Sequence, residues 1–251
     1  TEIYTLSLHD ALPICGVKVA VVDTGVNEHN DLKGRVVDGK NFITPGTPPR
    51  DDHSHGTHCA GTVAGDGAAG TLTGVAPEAT IMAVKVLGGN GSGQWSGLWE
   101  GMESTIEDKE VKILSMSLGG RPDETTRKRL RTACQLAISK GVIPVIAAGN
   151  SGSSPKTVGS PGDVPEIISV GATDSNDNIA YFSSRGPVVW DGVEMIKPDV
   201  SAPGVNVNST KHNVNNGYTT MSGTSMATPH VAGVVALMVN ANPYRSEEHT
   251  S

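Results

Sequence analysis

Apolar, β-branched runs alternate along this chain with stretches whose apolar residues recur every three or four positions. A continuous apolar run of strand length is typical of a strand buried on both faces, as in a parallel sheet. We predict such strands at Val17–Val22, Ile81–Leu87, Val111–Leu118, Val142–Ala148 and Ile167–Val170. Strands that alternate with helices in this way indicate βαβ units, and therefore an α/β fold with a mostly parallel central sheet.

Three longer stretches have helical spacing. Gln94–Asp108 carries apolar residues at three- and four-residue intervals, and Glu124–Lys140 is amphipathic, with Gly141 as its stop signal. Ser225–Val239 is an apolar helix that follows a turn-forming segment. No internal repeat or long linker interrupts the pattern, so we expect one domain.

Composition excludes several classes of protein. The chain has 251 residues, of which 37% are apolar and 18% charged, as in a globular domain. No run of about 18 apolar residues exists to span a membrane. A net charge of −7 without a basic stripe argues against a nucleic-acid partner. The three cysteines, Cys15, Cys59 and Cys134, are too few and odd in number for a disulfide framework, so we expect buried free thiols.

The two ends resemble foreign sequence. The first fourteen residues, TEIYTLSLHDALPI, and the last seven, RSEEHTS, resemble translations of sequencing-adapter DNA. We therefore expect residues 1–14 and 245–251 to be non-native and residues 15–244 to be a domain truncated at both ends.

Polar residues follow three of the predicted strands. Asp23, Leu118-Gly119 and Asn150 all lie at or just past a strand's carboxyl end. Ligands of parallel α/β sheets bind at that edge, so these segments indicate a site there.

Three motifs carry candidate chemistry: Asp23 in VAVVDTGV, His55 in HSHGTHCAGTVAG and Ser225 in MSGTSMATPHVAG. Singly, each has an ordinary structural explanation as a turn former, a structural histidine or a helix N-cap. Together they supply a hydroxyl nucleophile, an imidazole base that titrates near neutral pH, and a carboxylate to orient that base.

The motifs, in the order Asp, His, Ser, resemble those of the subtilase family over nearly all of residues 16–244. The resemblance implies a three-layer α/β/α fold and a serine endopeptidase that cleaves proteins through an acyl-enzyme. It makes Asp23, His55 and Ser225 the triad and Asn150, in VIAAGN, the oxyanion donor. His58 is then a structural neighbour of the base, and His53 is solvated.

The resemblance also implies where a substrate binds. Gly91-Ser92-Gly93 and Ser117-Leu118-Gly119 are similar to strands that flank the substrate, although from sequence alone the first is more typical of a flexible turn. Ala148, Gly149 and Gly159 resemble walls of the pocket for the residue before the scissile bond. Since these walls are small and uncharged, we expect broad specificity with a preference for large apolar residues there.

No cofactor is needed for this chemistry, but the resemblance implies structural cations in the intact protein. Asp31 matches a calcium ligand, although the loop Asp66–Leu72 offers no further obvious ligand besides Asp66, and Asp199 matches a weaker cation position. It also implies protein or peptide substrates, a pro-segment in the precursor, a monomer, and secretion or another extracytoplasmic location.

Two other classes remain as alternatives. A lipase or esterase would need a G-x-S-x-G elbow and the order Ser, acid, His, whereas the sequence around Ser225 is GTSMA and the order is Asp, His, Ser. A non-catalytic peptide-binding module, or an inert fragment, is the third class. Labelling of Ser225 by a fluorophosphonate separates these alternatives.

Overall fold

The computed structural model describes residues 16–70 and 73–241, so the adapter-like segments and Cys15 lie outside it. The strands are β1 Lys18–Asp23, β2 Val36–Asn41, β3 Thr80–Lys85, β4 Val111–Met116, β5 Ile143–Ala147, β6 Ile168–Thr173, β7 Val188–Trp190, β8 Val193–Met195, β9 Val200–Pro203, β10 Val207–Thr210 and β11 Tyr218–Met221. The helices are α1 His55–Ala64, α2 Trp95–Ile106, α3 Glu124–Ser139 and α4 Thr224–Ala241.

A parallel sheet forms the centre of the described residues. Its seven strands have the order β2-β3-β1-β4-β5-β6-β9, and every neighbouring pair is parallel. Two antiparallel hairpins, β7–β8 and β10–β11, stand beside it. The chain therefore has the predicted three-layer α/β/α fold.

Alternate residues of the central strands pack on opposite faces of the sheet. Val19 and Val21 of β1 belong to a core that includes α1 and α4. Ala20 and Val22 belong to a second core that includes α2 and α3. Burial on both faces explains why these strands are continuous apolar runs.

Each predicted strand and helix is present, with shifted ends. Asp123 caps α3 by accepting from the Thr126 N–H, and Gly141, in the left-handed region at φ 78°, follows the helix as predicted. The sequence patterns missed β2, β9 and both hairpins, which are short or polar and partly exposed.

Two smaller expectations can be checked directly. Cys59 and Cys134 are buried free thiols, as predicted. Among the described helices, none has both the length and the apolar character needed to cross a bilayer.

Candidate active site

An aspartate and a histidine from two elements form the centre of the site. Asp23 is the last residue of β1 and is fully buried, and His55 is the first residue of α1. Asp23 Oδ1 lies 2.7 Å from His55 Nδ1 and also accepts from the Thr24 N–H at 2.7 Å. The contact engages Nδ1 of the imidazole and leaves Nε2 for another partner.

The surroundings of His55 shift its titration. Burial disfavours the charged imidazolium, but the attraction of the Asp23 carboxylate and its hydrogen bond outweigh that cost, and Asp51 adds to them. The pKa of His55 is therefore raised above 6.5. The ring is 20% exposed, so it can reach a ligand.

A second buried carboxylate fixes the start of α1. Asp51 is 3% exposed and accepts from the Ser54 N–H at 2.9 Å, the Thr24 hydroxyl at 2.8 Å and both the N–H and hydroxyl of Thr57, at 2.9 and 2.6 Å. Thr24 Oγ1 in turn accepts from the Gly56 N–H at 2.9 Å. Asp51 thus ties the end of β1 to the first turn of α1, the two elements that carry the paired residues.

A buried lysine braces the same region. Lys85, at the end of β3, is 3% exposed, and its Nζ donates to Thr24 O at 2.5 Å, Leu87 O at 2.9 Å and Asp52 Oδ1 at 2.6 Å. Sequence reasoning missed both Asp51 and Lys85. The available signals were a lysine closing an apolar strand and two acids just before the histidine motif.

Ser225 is the second residue of α4 and lies near this pair. Its Oγ donates to Ser117 O at 3.0 Å, and Ser117 Oγ donates to Ser225 O at 2.7 Å. Cys59 Sγ lies 3.5 Å from Ser225 O and within 4.8 Å of the ligand atoms of Asp23 and His55. The three motifs therefore converge around Cys59, although no hydrogen bond joins Ser225 Oγ to His55 in the described residues.

Cys59 itself has no reactive character. Burial, reinforced by the nearby Asp23 charge, raises the pKa of its thiol well above the ordinary range. A protonated thiol is a poor nucleophile and a poor metal ligand.

Asn150 follows β5 and lines the same cleft as Ser225. Its Oδ1 accepts from the Thr224 N–H at 2.8 Å and the Thr224 hydroxyl at 3.0 Å. The carbonyl half of the amide is thereby engaged, and within residues 16–70 and 73–241 its Nδ2 has no hydrogen-bond partner. The Thr224 and Met226 N–H groups are engaged by Asn150 Oδ1 and Gly223 O, so Asn150 Nδ2 and the Ser225 N–H are the donors left in this cleft.

Two adjoining clefts contain the predicted substrate residues. The first, of about 430 Å³, is lined by His55 and both predicted flanking segments, 91–93 and 117–119. The second, of about 220 Å³, is lined by Ser225, Asn150, Ala148, Gly149 and Gly159. Leu118 and Gly119 line both clefts, so the two form one continuous groove. His53 is exposed beside the first cleft, as predicted.

Close backbone approach requires glycine in the wall of the second cleft. Gly120 and Ser160 exchange backbone hydrogen bonds at 3.0 and 2.9 Å. A Cβ on Gly119 would lie 3.0 Å from Ser160 O, and one on Gly159 would lie 3.1 Å from Gly120 O. These two glycines are therefore needed for the pairing that shapes the pocket.

The two positions expected to bind metal ions lie outside both clefts. Asp31 Oδ1 accepts from the Ala69 N–H at 2.6 Å, and Oδ2 accepts from the Tyr218 hydroxyl at 2.7 Å. Asp199 Oδ2 accepts from Lys197 Nζ at 2.6 Å, so this carboxylate already faces a cation of the chain. Calcium at Asp31 stays a prediction.

Residues 15–251 match the model of a protein family described as the subtilase family. The chain is 45% identical to serine protease AprX of Bacillus subtilis, over 91% of this chain and 58% of that protein. It is 43% identical to subtilisin DY of Bacillus licheniformis, over 90% of this chain and 78% of that protein. Against AprX, this chain therefore spans less than two thirds of the relative's length.

Solved structures show the same likeness. Sphericase superposes with a TM-score of 0.80 at 38% identity, over 94% of this chain and 82% of its own. A cold-adapted subtilisin-like serine proteinase superposes with a TM-score of 0.78 at 38% identity, over 92% and 77%.

Proposed function

This chain belongs to the subtilase family, and from that premise we propose that it is a serine endopeptidase with Asp23, His55 and Ser225 as its triad. The observation that carries the proposal is the 2.7 Å contact of Asp23 Oδ1 with His55 Nδ1, at the edge of a groove that Ser225 also lines. The contact leaves Nε2 as the nitrogen that takes the serine proton.

Acylation begins when Ser225 Oγ attacks the scissile carbonyl carbon and His55 Nε2 takes its proton. In the ground state Oγ donates to Ser117 O, and rotation about the Ser225 Cα–Cβ bond redirects it to the imidazole. Asp23 stabilises the imidazolium that forms, consistent with the raised pKa of His55. His55 then protonates the leaving amine, and water releases the acyl group by the reverse sequence.

Two N–H donors near Ser225 stabilise the negative charge that develops on the carbonyl oxygen of the substrate. Asn150 Nδ2 is the side-chain donor, because its carbonyl half is engaged by Thr224. The Ser225 N–H, at the positive end of the α4 dipole, is the second donor. Both donors are held before the reaction starts, so little reorganisation is needed as the charge develops.

The groove suits an extended peptide. Gly91-Ser92-Gly93 and Ser117-Leu118-Gly119 offer backbone groups on its two sides, and pairing with them would hold a substrate by strand addition. The second cleft takes the side chain before the scissile bond, and its lining of Ala148, Gly149 and Gly159 is small and uncharged. We therefore assign it large apolar side chains.

A fluorophosphonate probe tests the reaction class. Covalent labelling that disappears in Ser225→Ala, together with cleavage of casein, is the result we expect. Labelling with ester turnover alone would instead favour the esterase alternative. An unlabelled but folded chain would contradict the proposal.

Matched chromogenic peptides test the pocket. Peptides that differ only in phenylalanine, alanine or arginine before the scissile bond should rank in that order of kcat/KM. A requirement for arginine at this position would refute the apolar assignment.

The biological setting follows from family membership alone. We assign protein or peptide substrates, a monomeric enzyme, a pro-segment in the precursor and an extracytoplasmic location. Mass photometry of the purified chain and localisation of an epitope-tagged gene product test the oligomeric state and the location.

A further inference from the structure

We propose that one of the chain's own cationic side chains, Lys197, occupies the place where a metal cation was expected at Asp199, so that this position needs no calcium. The inference concerns stability and does not rest on the proposed peptidase activity. It comes from the contacts around Asp199.

Lys197 lies in a cage of oxygen atoms. Its Nζ donates to Asp199 Oδ2 at 2.6 Å, Ile167 O at 2.8 Å and Pro165 O at 3.1 Å. The residue is only 4% exposed. Two backbone carbonyls and a carboxylate are the hard oxygen ligands that calcium prefers. Here each faces the ammonium group, whose three donors match three acceptors.

The cage is built into the sheet. Pro165 and Ile167 immediately precede β6, and Asp199 immediately precedes β9, its parallel neighbour. Ser169 and Asp199 lock the two strand starts together, since the Asp199 N–H donates to Ser169 O at 2.9 Å and the Ser169 N–H donates to Asp199 Oδ2 at 2.8 Å. Oxygen atoms held together in this way repel one another unless a cation lies between them. Lys197 supplies that cation covalently.

A tethered cation has a different dependence on solution conditions from a bound metal. A metal that binds only the folded state stabilises it by mass action, and a chelator removes that stabilisation. A side-chain cation cannot be removed by a chelator. Thermal unfolding with and without calcium therefore distinguishes the two cases.

The experiment measures Tm by circular dichroism in Ser225→Ala, a background that prevents self-digestion and keeps the result independent of catalysis. The difference in Tm between EDTA and calcium in this background, where Lys197 is present, is the baseline. Lys197→Ala and Lys197→Met leave the carbonyl and carboxylate oxygens uncompensated. Their Tm should fall in EDTA and should rise by roughly 5–10 °C more than the baseline once calcium exceeds its Kd about 100-fold.

The matched control is Lys156→Ala, because this lysine forms an exposed ion pair with Glu194. Its response to calcium should equal the baseline.

Two results would overturn the proposal. The first is a pair of Lys197 variants whose response to calcium does not exceed that of Lys156→Ala. The second is failure of both Lys197 variants to fold in calcium as well as in EDTA, since metal could not then replace the ammonium.

Discussion

At the scale of single residues, two hydrogen bonds fix the orientation of the Asn150 side-chain amide. The Thr224 N–H and hydroxyl both hold its oxygen. Asn150→Ala should lower kcat by about 10²–10³-fold, the loss reported for removing such a donor in subtilisin itself, while KM changes little. Steady-state kinetics on a peptide substrate measure the two constants separately.

Asn176→Ala is the matched control, because that exposed asparagine lines neither cleft. It should keep wild-type kinetics. An Asn150→Ala enzyme that retains more than half of the wild-type kcat would disprove the oxyanion role.

In the proposed mechanism Asp51 is a positioning residue, because it acts on the reaction through His55. Three effects set the pKa of His55, and the first two are the larger. Burial lowers it, Asp23 raises it, and the charge of Asp51 raises it further. The base must be neutral to work, so activity rises with pH as His55 loses its proton. Asp51→Asn should move the midpoint of the acid limb of kcat/KM to lower pH, from a wild-type value above 6.5.

Asp51 also fixes the start of α1. Loss of that structural role alone would change kcat/KM without moving the midpoint of its acid limb. The other groups that face His55 are Asp23, His53, His58 and the neutral thiol of Cys59, and the substitution leaves all of them in place. Asp174→Asn, in an exposed turn, is the control. An unchanged midpoint in a folded Asp51→Asn enzyme would leave Asp51 with a structural role only.

At the scale of elements, α1 holds a buried histidine whose protonation should weaken the fold. His58 is fully buried, its Nε2 lies 3.0 Å from Val207 O of β10, and its Nδ1 has no partner among the described residues. Burial lowers its pKa to about 4. Between pH 6.5 and 4 the unfolded chain binds a proton that the folded chain excludes, so stability falls as pH falls.

The stabilisation from neutral His58 is complete above pH 6.5 and is lost as the pH approaches 4, and it amounts to about 3 kcal/mol. Urea unfolding of Ser225→Ala across this range should show the loss, and adding His58→Asn should reduce it. His53→Asn, at an exposed position, should leave it unchanged. Parallel pH profiles with and without His58 would contradict the assignment.

The sequence was most informative for elements that are buried on both faces. β1, β4 and β5 are apolar runs because α-helices cover each side, and periodicity alone locates them. β2 has the sequence VVDGKN and lies exposed at the sheet's edge, so its polar residues conceal a strand. β9 has only four residues, too few to show a periodic pattern of apolar positions.

The candidate site was predictable only in part. The motifs around Asp23, His55 and Ser225 are local, so their sequence could be matched to a family. Asp51 and Lys85 become recognisable only through contacts with distant segments, such as Lys85 Nζ with Thr24 O. The partners of Asp199 and Asp31 are likewise set by tertiary packing, so the sequence did not show that Lys197 faces Asp199.

At the scale of the whole molecule, the sheet separates two cores with different consequences for the site. Leu130 of α3 is fully buried in the core that contains neither α1 nor α4. Leu130→Ala should lower the free energy of unfolding by about 2–5 kcal/mol through the cavity it leaves, while kcat of the folded enzyme stays the same. Chemical denaturation and kinetics at low temperature measure the two effects.

Leu136, on the same helix but 36% exposed, provides the control, and Leu136→Ala should cost much less stability. A marked loss of kcat in Leu130→Ala at a temperature where it is fully folded would show that the far core also positions the site.

In the proposed enzyme, the order of elements along the chain decides when the catalytic set becomes complete. Helix α4 packs against β1, β4, β5, β6 and β9 and follows all of them in the chain, and its second residue is the proposed nucleophile, Ser225. A ribosome therefore makes every strand of the central sheet before it makes Ser225. Until then a nascent chain holds Asp23 and His55 but lacks the hydroxyl that acyl transfer needs.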